Sequence, residues 1–160
     1  MSAVLPPKLR VVLGPAQFSG PVVGPHDPYL RDCWTAALGP GQVLCYRRLH
    51  QFVGSEVPTA ALARSLGMGT TPELPRLARC LSRLAEFGAL RVEGDTCRLA
   101  PGLRYLTRGE LRRAGPIVQG LHAVHLRRQG LEPPRIAALA AEGARGLRRE
   151  PGLAMGMVAS

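Results

Sequence analysis

Arg76, Arg79 and Arg83 recur at helical offsets in the run "PRLARCLSRLAEFGAL", with Cys80 among them. On a helix that spacing gathers all four on one side. Guanidinium groups so placed suit one kind of chemistry: paired N–H donors that grip a phosphate or the edge of a guanine. The opposite side of the run carries Leu74, Leu77, Ala78, Leu81, Leu84 and Ala85, an apolar stripe that asks for a core. One face is needed for folding and the other is free to meet a polyanion.

The elements around this helix must hold it out to a partner. Thr71 as N-cap, Pro72 at the first position and Glu73 in the first turn predict a start at 72, and Gly88 predicts the end, so the helix is expected over 72–87. Upstream, "EVPTAALARSLGMG" predicts a short helix from near Thr59 with Ala61, Leu62 and Leu66, closed by Gly67, with Met68 tucked against the core. A short helix, a glycine and a longer helix are the pattern of a helix-turn-helix. Downstream, "ALRV" and "TCRL" flank the turn "EGD" and predict a hairpin over 89–99, with Arg91 and Arg98 available to a phosphate backbone.

The run from Gln42 to Leu99 resembles the winged helix-turn-helix superfamily. "TAALARSLGM" stands for the helix and turn, "LPRLARCLSRLAEFGAL" for the recognition helix and "RVEGDTCRL" for the wing. The wider pattern, "DPYLRDCWTAALGPG" before and "LTRGELRRAGPIVQGLHAVHL" after, resembles small winged-helix proteins of actinobacteria and their phages. The resemblance implies a mainly α fold with a small β-hairpin and extra N- and C-terminal helices. It implies that helix 72–87 enters the major groove of double-stranded DNA, with Arg76, Arg79 and Arg83 at guanine edges or phosphates. Thr70 and Thr71 would meet the backbone, Ser82 would contribute beside them, and Arg91 and Arg98 would be wing contacts. The stretch "GMGTTPELP" departs from the pattern by lengthening the turn.

Outside that unit, residues 1–25 hold "PP" and two "GP" pairs and read as a flexible arm, followed by a domain over 26–106. There Asp27 and Pro28 open a helix whose buried side is Leu30, Cys33, Trp34, Ala37 and Leu38, with Trp34 as a core anchor. A second helix from Gln42 to about Val53 turns Cys45, Tyr46, Leu49, Phe52 and Val53 inward. Residues 107–130 open with the capping box "TRGE". Their helix carries Ile117, Val118, Leu121 and Val124, a stripe for packing back on the domain or for pairing with a second copy. Residues 131–160 read as a basic, mostly flexible tail with at most one alanine-rich helix near 134–142.

The net charge is +10, and Lys8 is the only lysine among 21 basic residues. Such a balance favours a polyanionic partner. The expectation is a cytoplasmic, nucleoid-associated protein without a membrane span. Four scattered cysteines with no C-x-x-C pair read as reduced thiols. His122 and His125 form an H-x-x-H pair read as solvent-facing, without an acidic or cysteine partner at a suggestive spacing. No phosphate-binding glycine loop, "GxSxG" or paired carboxylates in a cleft-like setting occur, so no catalytic, cofactor or metal site is expected. The reading is a sequence-specific transcriptional regulator, dimeric on DNA. The alternative is a winged-helix adaptor that docks on RNA polymerase or another regulator without specific DNA binding.

Overall fold

The computed structural model describes residues 4 to 149. Among them the chain runs β1 (Lys8–Leu13), a π-helical turn (Leu30–Trp34), α1 (Thr35–Leu38), α2 (Pro40–His50), β2 (Ser55–Pro58), α3 (Thr59–Ser65) and α4 (Pro75–Glu86). It continues with β3 (Leu90–Glu93), β4 (Thr96–Leu99), α5 (Arg108–Ala114), α6 (Pro116–Arg128) and α7 (Pro133–Arg149). The fold is mainly helical with one small sheet. The expected hairpin is the outer half of that sheet, whose strand order is β2-β1-β4-β3.

The segment read as part of a flexible arm supplies an inner strand. In "KLRVVL" alternate residues face opposite ways, so Leu9 and Val11 are wholly buried while Lys8 and Arg10 remain exposed. β1 lies antiparallel to β2, with Leu9 opposite Val57, and parallel to β4, with Val11 opposite Cys97. The Thr59 hydroxyl donates to the Pro6 carbonyl at 2.7 Å and ties the strand's entry to the start of α3. The flanking prolines and glycines break periodicity on both sides of a six-residue strand and give the segment the composition of a flexible arm.

β3 and β4 are joined by a two-residue turn, Gly94 and Asp95, with Glu93 opposite Thr96. Gly94 has φ +60°, a conformation that a side chain disfavours and that tight hairpin turns require.

α4 begins three residues later than expected. Leu74 precedes it with φ 45°, left-handed for a residue with a branched side chain, and its N–H donates to the Thr71 carbonyl at 2.9 Å. That turn lets the Leu74 side chain reach the core, and Pro75 takes the first helical position in place of Pro72. Burial of a leucine, about 1.5–3 kcal/mol, offsets the about 1–2 kcal/mol of the left-handed backbone.

The C-terminal region also departs from the tail reading. α7 continues to Arg149, with Ile136 and Ala140 buried. A side chain on Gly20 would strike Leu139, and one on Gly88 would press on Phe18 and Leu147. α7 thus lies against the chain that follows β1 and against the glycine that ends α4. Residues 150–160 of the expected tail lie outside the described residues.

Candidate nucleic-acid interface

The apolar stripe of α4 is buried as its spacing predicts: Leu77, Leu81 and Leu84 are wholly inside, with Leu74 and Ala85 nearly so and Ala78 partly. Cys80, placed on the polar side by its offset, is instead 2% exposed. It meets Cys45 of α2, because α4 packs on α2 as well as on the sheet and its buried arc is wider than one stripe. Arg76 and Arg79 are exposed and enter no ion pair with another described residue.

Arg83 is differently placed. Its Nη2 donates to the Ala37 carbonyl at 3.2 Å, its Nη1 approaches Glu86 at 3.4 Å, and its guanidinium lies 4.9 Å from the centre of the Phe87 ring. It fastens the end of α1 to α4, so only part of its donor set faces outward. Ser82 is half-buried, while Thr70 and Thr71 are exposed in the loop before α4. The structure therefore brings Arg76 and Arg79 together on one exposed helical face, with the two threonines in the preceding loop.

The hairpin carries its own counter-charge. Arg91 and Arg98 are directly opposite each other, and Glu93 lies 3.7 Å from the first and 3.5 Å from the second. These pairs are half-exposed and worth little to stability, yet they reduce the positive potential at the hairpin. Arg10 adds a cation to the same outer sheet face, 3.9 Å from Glu56.

Behind this surface lies a polar interior that spacing did not reveal. Arg104 and Glu110 form a buried two-pronged pair at 2.9 and 2.7 Å. Glu110 also accepts from the Thr107 N–H and completes the expected capping box. Burial raises the Glu110 carboxyl, but the hydrogen bonds and charge of Arg104 and the Thr107 contacts outweigh it, leaving the pKa below the ordinary value. Trp34 is wholly buried, with Nε1 donating to the Arg104 carbonyl at 2.9 Å and the guanidinium 5.1 Å from its ring.

The two histidines of α6 belong to this interior and are not solvent-facing. His125 is 9% exposed and its Nε2 lies 2.9 Å from Asp32; His122 Nδ1 meets the Tyr29 hydroxyl at 2.7 Å. The acidic partner missing from the local sequence comes from the π-helical turn, some ninety residues away. Desolvation holds His122 below the ordinary histidine range, and the nearby His125 adds to it. The Tyr29 oxygen that pairs with His122 also accepts from the Leu106 N–H at 3.1 Å, so one hydroxyl joins α6 to the chain before α5. Tyr29→Phe leaves both the imidazole nitrogen and the amide unpaired, and should lower the unfolding free energy by about 1–3 kcal/mol in urea titrations. No change in the midpoint would mean that the contact contributes nothing.

Burial pushes the Cys33 and Cys97 thiols up to about 12, and Cys45 is held well above the usual thiol range by its hydrogen bond to Cys80 and by burial. These three are packing residues with negligible thiolate at neutral pH. Among the described residues no group of three or more His, Cys, Asp or Glu side chains is placed to hold a metal ion. No helix there is long and apolar enough to cross a membrane. Comparisons with protein-family models, with curated proteins and with solved structures gave no match.

Proposed function

We propose that this protein is a sequence-specific DNA-binding regulator of transcription, built as a winged helix-turn-helix with α3 and α4 as its two helices and β3–β4 as its wing. The observation that carries the reading is the free face of α4: Arg76 and Arg79 stand exposed and uncommitted one turn apart, on a helix whose other side is locked into the core. A helix so presented fits the major groove, where each bidentate arginine-to-guanine contact is worth about 1–3 kcal/mol. Thr70 and Thr71 take phosphates at its entrance, and Arg91 and Arg98 flank the groove from the hairpin. Arg83 has a supporting role, holding α1 against α4.

A second reading, docking on RNA polymerase or another protein through the same helix, is favoured by Glu93, which offsets two of the hairpin's cations. Enrichment of genomic fragments on the purified protein, near physiological salt with excess competitor DNA, separates the two. A short shared motif is expected, and palindromic symmetry in it would point to a dimer. Arg76→Ala with Arg79→Ala should remove that motif and raise Kd for it by tenfold or more, as expected for about 1–3 kcal/mol per lost contact, with unchanged unfolding. Fragments no richer than background from the wild type would turn the assignment to protein docking.

A further inference from the structure

Among the described residues, α4 is not where most of the uncompensated positive charge lies. Residues 107–131 contain five arginines, Arg108, Arg112, Arg113, Arg127 and Arg128, and a single acid, Glu110. All five arginines are exposed, and none enters an ion pair with another described residue. Glu110 cannot offset them, because it is buried and already held by Arg104. α5 and α6 together therefore carry more exposed cations than α4, whose three arginines share the helix and its approach with Glu73 and Glu86.

This surface is joined to α4 through α1. Arg83 ties α4 to the Ala37 carbonyl of α1, Trp34 meets Phe87 edge to face at 5.6 Å, and α1 also packs on α5. The exposed part of α1 is short and low, with Ala36 at the surface and Ala37 half-buried. The major groove is about 12 Å wide, so a helix one neighbour removed from one lying in the groove falls outside it, toward the flanking sugar–phosphate strand.

We infer that α5, through Arg112 and Arg113 with Arg108 beside them, grips the phosphate backbone flanking the groove that α4 enters, as a built-in clamp indifferent to sequence. The inference rests on the DNA-binding reading above. Phosphate contact needs charge more than fork geometry, so lysine should substitute here, whereas it should fail at a bidentate guanine contact.

Binding of a random-sequence duplex should be measured between about 50 and 200 mM salt for the wild type, R112A/R113A and R112K/R113K. The alanine pair is expected to weaken binding about tenfold at the middle of that range and to flatten the slope of log K against log salt by about 2, the loss of two phosphate contacts. The lysine pair should recover most of both. The weakening should be equal for duplexes with and without the enriched motif. An alanine pair with wild-type slope and affinity overturns the clamp while leaving the α4 assignment standing. A wild type that does not hold the duplex at the lowest salt overturns the assignment itself and the clamp with it.

Discussion

Glu110→Gln lowers the unfolding free energy by about 3–5 kcal/mol, read from the urea midpoint at constant slope, because it leaves the Arg104 guanidinium buried without a counter-charge. The side chains are 5% and 9% exposed, so water cannot take over the lost partner. A domain of ordinary stability, about 5–15 kcal/mol, would retain only part of its margin. The same pair sets an acid limit. Glu110 has a pKa below its unfolded value of 4.5, so its contribution is complete above that value and disappears as pH falls through the lower folded value. Asp32 acts in the same sense, its pKa lowered chiefly by the hydrogen bond from His125. Unfolding measured from pH 6 downward should steepen below the ordinary carboxyl range in the wild type, and less so in the variant. Identical acid profiles would contradict this origin.

The second large effect concerns the inner strand. Val11→Asp places a carboxylate at a wholly buried position between two neighbouring strands, opposite Ser55 and Cys97, neither of which is a cation. Loss of the folded population at neutral pH is expected, seen as collapse of the thermal transition in circular dichroism. Leu9→Ala is the milder companion and should cost about 2–5 kcal/mol. A loose N-terminal arm would leave both variants with the wild-type midpoint, so the pair distinguishes the strand from the arm.

What the residues disclosed follows the reach of their interactions. The stripe of α4, the Thr107 capping box and the Gly94 turn rest on neighbours within a few positions, and each is where spacing places it. β1 is not legible locally, because its alternation lasts six residues and its partners lie at 55–58 and 96–99. The start of α4 is ambiguous in the sequence because Pro72 and Pro75 offer equivalent signals, and only the core decides that Leu74 must turn inward. The histidines looked exposed because Tyr29 and Asp32 are remote in sequence. Of the candidate contacts, offset alone could not separate Arg79 from Arg83: the carbonyl that occupies Arg83 arrives from α1.

The parallel pairing of β1 with β4 has a consequence for how the molecule comes into being. Residue 10 must wait for residue 96 before its strand can acquire its neighbour on that side. At about 5–20 residues per second during synthesis, that delay is on the order of ten seconds. Throughout it, "KLRVVL" is an apolar strand with an open edge, the kind of segment that sticks to other nascent chains. Lys8 and Arg10, alternating with the buried residues, keep like chains apart by charge until the hairpin is made. The basic residues of β1 thus guard the newborn chain against its siblings, whatever they later do on the surface of the finished one.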